Sequence, residues 1–351
     1  MKNEIRQRAL NSMIGLAIGD AISWTSMFHR SILLPAWTRR IRREIDASSE
    51  STNVIVTPMP FSLNQPAHHF DISPTDKTEW AAFSAELLLQ NGPHGYDRSI
   101  LKEWMALAQS TTPIRGGVST QAALANIKNG ILPPQSGREN PHYFDDGAMM
   151  RAVPIGLFCA GQPDIAARLT ETDASVTNSE DGLWAAQAVA ICLSLLSNGK
   201  SVNTAIEAAV HFLPSSSWIH RTVIEALSMV EKSNSVFPVI PQLQNAIVNR
   251  EYSYGNAAPE TLALALCIAK LHGQNFETAL MTSSLFTKSG ETLPAIVGAL
   301  SGAMDPSMNV SEHWMNAIRK MKGIAIPSLA GKDYAALALQ ISNMAGQSKL
   351  S

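Results

Sequence analysis

The sequence has no excess charge of either sign, few cysteines and no long apolar run, and each absence excludes a class of protein. Lysine and arginine number 27 and aspartate and glutamate 29, which leaves a formal net charge of -2. So small a charge does not produce the field that draws a protein to nucleic acid. No segment approaches the roughly 18 uninterrupted apolar residues of a membrane span. We therefore expect neither nucleic acid nor membrane as a partner.

The cysteines are too few and too scattered for a disulfide framework or a thiolate metal site. There are three, and they lie inside apolar stretches without a C-x-x-C spacing: Cys159, Cys192 and Cys267. Buried free thiols are typical of a reducing compartment. Since the first residues also lack the apolar core of a signal peptide, we expect a cytoplasmic protein.

What the sequence does have is helical periodicity. It is 45% hydrophobic and 16% charged, as in folded globular proteins. Apolar residues recur at spacings of three and four, which favours helices over strands. We predict one all-α domain over residues 1–351. The clearest helical segments are Ala81 to Leu89, Leu183 to Leu196, Ala205 to Phe212, Val223 to Val230, Thr261 to Leu271 and Ala295 to Ala303.

Two stretches interrupt this pattern. Residues 48–71 contain Pro58, Pro60 and Pro66 and few helix-forming residues, so we predict a long loop or a lid. Residues 133–146 form a second predicted loop, after which a helix is expected near Gly147. Long loops in helical proteins often carry the functional site.

Carboxylates and hydroxyls cluster at two predicted helix starts. Thr75 is placed to cap a helix whose first turn holds Asp76 and Glu79, and Glu291 and Thr292 precede a second apolar helix. Taken separately, both patterns are explained by helix capping alone.

Five segments resemble the ADP-ribosylglycohydrolase family, in the family's order. The first resembles its opening G-x-x-x-G-D-A helix, and the others resemble its T-D-D-T, N-G-x-x-M-R, T-H and D-x-D-T motifs. The segments are Ile14 to Ile22, Thr75 to Thr78, Asp146 to Gly156, Ser175 to Ser179 and Ser289 to Thr292. The resemblance implies an orthogonal multi-helix bundle with a cleft walled by helix starts.

The resemblance also implies a chemistry. In the family, the carboxylates and hydroxyls of T-D-D-T and D-x-D-T hold two hard divalent ions, usually magnesium or manganese. The ions orient the ribose and a hydrolytic water. The expected reaction is hydrolysis of a glycosidic bond, and the expected partner is ADP-ribose or ADP-ribosylated protein.

The sequence departs from the family where the metal ions bind. Lys77 replaces the second T-D-D-T carboxylate, and Ser289 replaces the first of D-x-D-T. Met27 lies where many relatives have a glutamate, and Asn178 replaces the usual histidine. We therefore expect one magnesium or manganese ion at most, or none. The remaining candidate ligands are Thr75, Asp76, Glu291 and Thr292.

A different catalytic arrangement is then conceivable. Lys77, beside Asp76, would supply the charge of a lost metal, while Asp146 or Glu291 activates water. The alternative for Asp146 and its neighbour Asp145 is that they cap the helix expected near Gly147. The residues alone leave both interpretations open.

Candidate substrate-binding residues surround these positions. The glycine turn at Gly116 and Gly117 offers backbone N–H groups to a phosphate, although a plain helix entry has the same sequence. Tyr143 is placed to stack on an adenine. By resemblance, the remaining candidates are Asp20, Asp145, Gly147 and Asn178.

Two functions follow from the sequence. The first is a hydrolase that cleaves a glycosidic bond of ADP-ribosylated protein or a related riboside, with reduced or absent dependence on metal. The second is a catalytically inactive relative that binds ADP-ribose or a protein partner.

Overall fold

The computed structural model describes residues 2–28, 73–249, 252 and 255–346, without the side chains of residues 24–28 and 287. In these residues the protein is helical and has no strand, only two isolated β-bridges. The all-α prediction is confirmed. The predicted loop over residues 48–71 lies outside the described residues, and the assignment of one domain stays a prediction.

The α-helices are numbered in chain order. They are α1 (Lys2–Phe28), α2 (Asp76–Ala108), α3 (Val118–Lys128), α4 (Gln135–Arg138), α5 (Met149–Phe158), α6 (Pro163–Ala174), α7 (Glu180–Ser197), α8 (Val202–Phe212), α9 (Trp218–Val230), α10 (Ile240–Ala246), α11 (Ala258–His272), α12 (Phe276–Ser284), α13 (Leu293–Met304), α14 (Glu312–Arg319) and α15 (Tyr334–Met344). Short 3-10 turns occur at Phe237–Val239, Thr287–Ser289 and Pro327–Leu329.

Helices α1 and α13 pack in direct backbone contact through glycines. A Cβ atom on Gly15 would lie 2.1 Å from the carbonyl oxygen of Gly298, and one on Gly19 would lie 2.0 Å from that of Pro294. Because the residue numbers run in opposite senses along the contact, the helices are antiparallel. The end of α1 therefore meets the start of α13, where Thr292 lies.

Helix α2 contains a kink at Gly92. Gly92 has a φ of 62° and is followed by Pro93, and helical structure continues to Ala108. Glycine tolerates the positive φ. Pro93 lies at the start of the helical segment after the kink, where a backbone N–H would have no helical partner, so its missing N–H costs no hydrogen bond. The chain thus leaves the helical conformation at Gly92 and resumes it directly afterwards.

The starts of the site helices are held rigidly because they lead into the core. Helices α5 and α13 are buried along their whole length. The carboxylate of Glu79, in the first turn of α2, accepts N–H groups from Ala325 at 2.7 Å and Ile326 at 3.0 Å. None of the described helices combines the length and apolarity needed to cross a bilayer.

The glycine contact predicts a large effect of a single methyl group. We expect Gly298→Ala to lower the free energy of unfolding by about 1–3 kcal/mol or more, since the new Cβ would lie 2.1 Å from the backbone oxygen of Gly15. Denaturant unfolding measures this. Gly95→Ala, whose Cβ would meet only the Asn91 side chain at 3.2 Å, is the control and should lose no stability. Equal stability of the two variants would contradict the contact.

Candidate functional site

The start of α2 is capped by a side chain from another helix. Asp20, near the end of α1 and fully buried, accepts the backbone N–H of Thr75 at 2.7 Å and of Thr78 at 3.0 Å through Oδ2. The hydroxyls of Thr75 and Thr78 also donate to its carboxylate. Thr75 occupies the N-cap position, but its side chain makes no capping bond. The prediction that the Thr75 side chain caps α2 is therefore wrong, because its hydroxyl is directed to Asp20.

Burial and charge shift the proton affinity of Asp20. Burial raises its pKa to about 6, and the negative charge of Asp76 acts in the same direction. The hydrogen bonds from Thr75 and Thr78 and the charge of Lys77 act the other way. Asp20 is thus a buried carboxyl group that is stabilised by its hydrogen bonds to the start of α2.

Lys77 lies directly on the neighbouring carboxylate. Its Nζ is 2.8 Å from Oδ2 and 3.0 Å from Oδ1 of Asp76, and only 15% and 12% of the two side chains are exposed. Burial alone would lower the pKa of Lys77, but the negative charges of Asp76 and Glu291 outweigh it and raise the pKa above that of an ordinary lysine. The ammonium is therefore charged at neutral pH.

Asp146 is the second carboxyl group with a raised pKa. It is 7% exposed, and its Oδ2 accepts the hydroxyl of Thr261 at 2.7 Å. Burial, followed by the charge of Asp145, raises the pKa of Asp146 to about 7. The bonds from Thr261 and Thr292 and the charge of Lys77 oppose the shift. A carboxyl group with this pKa can take up or release a proton near neutral pH.

Asp145 caps a different helix from the one expected. Its Oδ2 accepts the N–H of Ser119 at 3.2 Å, in the first turn of α3, and its Oδ1 accepts the N–H of Gly147 at 3.0 Å. The helix expected near Gly147 begins at Met149 and has no side-chain cap. The interpretation that Asp145 caps this helix is therefore wrong, because the helix begins two residues beyond Gly147 and the Asp145 carboxylate bonds to the N–H groups of Gly147 and Ser119 instead.

The glycine turn lies beside the same carboxylate. Gly117 is the N-cap residue of α3, and a Cβ atom there would lie 3.7 Å from Oδ2 of Asp145. A Cβ atom on Gly116 would lie 2.7 Å from the side chain of Thr120. Gly117 thus lies next to the Asp145 carboxylate, while Gly116 packs on the first turn of α3.

Asn178 holds the Asp145 loop from inside. It is fully buried, and its Nδ2 donates to the backbone oxygens of Tyr143 and Asp145 and to Oδ1 of Asp145, each at 3.0 Å. Asn178 was predicted to bind substrate directly; the structure places its amide behind the loop.

Aromatic rings cover one side of this loop. Tyr143, which is partly exposed, meets the edge of Phe144 at 5.4 Å between ring centroids. Phe144 in turn lies 4.9 Å from Tyr252 and 5.9 Å from Trp218. The hydroxyl of Tyr252 is 2.9 Å from Nδ1 of His142.

Sequence reasoning missed two of these contributors, Thr261 and Tyr252. Thr261 follows Pro259 and Glu260 at the start of α11, and helix-start signals are visible there, although nothing local links them to Asp146. Tyr252 carries no signal of its own in the sequence.

The predicted metal ligands do not form a metal site. They are Thr75, Asp76, Glu291 and Thr292. Both oxygens of Asp76 are bonded to Lys77, and the hydroxyl of Thr75 is bonded to Asp20. Within the described ranges, no group of three or more His, Cys, Asp or Glu is suited to hold an ion. These residues do not fit a hard divalent ion, which requires many oxygen ligands. The side chain of Met27 lies outside the described residues.

Comparison with known proteins shows the family of the chain. Residues 1–348 match the ADP-ribosylglycohydrolase family. A solved structure named "ADP-ribosylglycohydrolase-related protein complex" superimposes with a TM-score of 0.59 at 20% identity, covering 97% of this chain and 99% of that chain. At this identity the likeness shows the fold. No curated protein matches the sequence.

The position of Lys77 predicts the effect of removing it. We expect Lys77→Asp to bind manganese more tightly than the parent by about tenfold or more, because it releases the oxygens of Asp76 and adds a carboxylate. Calorimetric titration measures the affinity. Lys77→Met is the matched control, since it removes the ammonium without adding a ligand. If Lys77→Asp binds manganese no better than the parent, the ammonium is not what excludes the ion.

Proposed function

Because the chain belongs to the ADP-ribosylglycohydrolase family, we propose that it hydrolyses a glycosidic bond of ADP-ribosylated protein or a related riboside with little or no dependence on a divalent ion. The observation that carries this proposal is the ammonium of Lys77, bonded to both oxygens of Asp76 at 2.8 and 3.0 Å. It is also close enough to Glu291 for that charge to raise its pKa.

Lys77 supplies a fixed positive charge between the starts of α2 and α13. An ammonium has three N–H donors. Two of them face the oxygens of Asp76, which leaves the third for a ribose hydroxyl or another ligand oxygen. Lys77 thereby orients the sugar, and Asp76 holds the ammonium in place.

Asp146 acts as the base. It removes a proton from water as the water oxygen bonds to the anomeric carbon of the ribose. The bond from that carbon to the acceptor atom breaks, its electron pair stays on the acceptor atom, and that atom takes up the proton from Asp146. The pKa of about 7 suits both transfers. Glu291, whose charge also acts on Lys77, is the second candidate for this role.

The remaining residues bind or support the ligand. Gly147 and Asp145 line the ribose, the turn at Gly116 and Gly117 receives a phosphate, and Tyr143 stacks on the base. Full burial of Asp20 supports a role for it in fixing α2 rather than in direct contact.

A second function is favoured by one observation. The described residues have no suitable ligand group for a divalent ion, and a family member without its metal chemistry would keep a cleft for ADP-ribose without hydrolysis. Such a protein would bind ADP-ribose or a protein partner. The three free, buried cysteines support a cytoplasmic setting for either function.

Titration with ADP-ribose, with and without magnesium, separates the two functions. We expect binding in the presence of a chelator, and release of ADP-ribose from modified protein under the same conditions. Binding without release would support the inactive relative. If turnover requires magnesium, the proposed role of Lys77 is wrong, and absence of binding would contradict both functions.

The role of Asp146 predicts a separation of binding from turnover. We expect Asp146→Asn to lower the rate of ADP-ribose release by about 10²–10⁴-fold, the usual contribution of a general base, while the affinity for ADP-ribose changes little. The control is Asp181→Asn, a carboxyl group with a pKa also raised by burial, but bonded to the N–H of Ile219. Full activity of Asp146→Asn would contradict the assignment.

A further inference from the structure

A buried arginine lies behind the Asp145 loop. Arg151, on α5, is fully buried, with its guanidinium 5.2 Å from the ring centre of Trp104 and 5.9 Å from that of Trp80. Its Nε donates to Oδ1 of Asp173 at 2.5 Å. A charge so deep in a core is tolerated only when it is paired and hydrogen-bonded.

Asp173 is itself held in place on its far side. Its Oδ2 accepts the hydroxyl of Tyr96 at 2.6 Å and that of Ser84 at 2.8 Å. The position of Arg151 is therefore determined by three helices, α2, α5 and α6.

Arg151 sets the direction of the next two hydrogen bonds. Its Nη2 donates to the hydroxyl oxygen of Thr177 at 2.8 Å. A guanidinium only donates, so the proton of Thr177 is free to point to Oδ1 of Asn178, which is 2.5 Å away. The oxygen of the Asn178 amide must then face Thr177, and its NH₂ group must face the opposite way.

The NH₂ group of Asn178 reaches the Asp145 loop. It donates to Oδ1 and to the backbone oxygen of Asp145. The same Oδ1 accepts the N–H of Gly147, so Asn178 and Gly147 share one carboxylate oxygen. The fit is tight, because a Cβ atom on Gly182 would lie 2.7 Å from Nδ2 of Asn178.

We propose that Asn178 is a positioning residue that Arg151 orients through Thr177, and that it fixes the carboxylate of Asp145 and with it the loop carrying Asp146 and Gly147. The proposal rests on the proposed function in one respect, that this loop contacts the ligand. A loop that is already ordered before the ligand binds loses less conformational entropy on binding. The hydrogen bonds that run from Arg151 through Thr177 and Asn178 to the loop therefore increase the affinity for the ligand.

Thr177→Val removes the hydroxyl and keeps the shape of the side chain. In the ligand-free protein, we expect the amide hydrogens of Gly147 and Ser119 to exchange with solvent about tenfold faster, as a lost buried hydrogen bond allows. Thr177→Ser retains the hydroxyl and should restore the exchange rate of the parent. Thr282→Val is the matched control, because it removes a buried threonine hydroxyl that bonds only within α12, to the backbone oxygen of Thr278, and leaves the loop unchanged.

Titration with ADP-ribose provides the second measurement. We expect about tenfold weaker binding by Thr177→Val, and affinities close to that of the parent for Thr177→Ser and Thr282→Val. If the parent does not bind ADP-ribose, the proposed function fails, while the exchange rates still decide the positioning role.

Two results would overturn the proposal. One is equal exchange at Gly147 and Ser119 in Thr177→Val and Thr282→Val, which would mean that Thr177 contributes only to general stability. The other applies if Thr177→Val does not fold. Asn178→Asp then replaces the NH₂ donor by an oxygen, and unchanged exchange in that variant would show that the loop does not depend on Asn178.

Discussion

The site depends on a carboxylate from one helix that caps another. Asp20 is carried by α1, yet it accepts the first N–H groups of α2, from Thr75 and Thr78. Asp20 reaches these N–H groups from α1, whose backbone packs directly on that of α13. This contact requires glycine at Gly15 and Gly298, because neither position has room for a side chain. The same packing brings the starts of α2 and α13 to the end of α1. Without this bond, α2 would begin with unpaired buried donors.

The charges at the start of α2 are arranged around Lys77. Buried carboxylates are unfavourable unless they are paired, hydrogen-bonded or protonated. Asp76 is paired with Lys77, whereas Asp20 and Asp146 have raised pKa values of about 6 and about 7. A divalent ion would have to displace the ammonium from Asp76. The substitution at Lys77 therefore places an ammonium on the Asp76 carboxylate while the fold of the family is kept.

The loop from Tyr143 to Gly147 is the other half of the site, and it is held from both sides. The start of α3 donates an N–H to Asp145 from outside, and Asn178 donates its amide from inside. Asp146 is thereby placed between Thr261 of α11 and the start of α13. In its proposed role as a base, Asp146 would need no rearrangement to meet a substrate, which is the advantage of a preorganised site.

The sequence by itself determined the helices, the family and the residues that depart from it, because apolar periodicity and motif order are local properties of the chain. It identified Lys77 as a cation in place of a carboxylate. Only the tertiary structure decided that Asp20 rather than Thr75 caps α2, that Asp145 caps α3, and that the amide of Asn178 lies behind the loop. These are contacts between residues 26 to 58 positions apart, and no local pattern encodes which helix start a carboxylate will reach. Packing decides it.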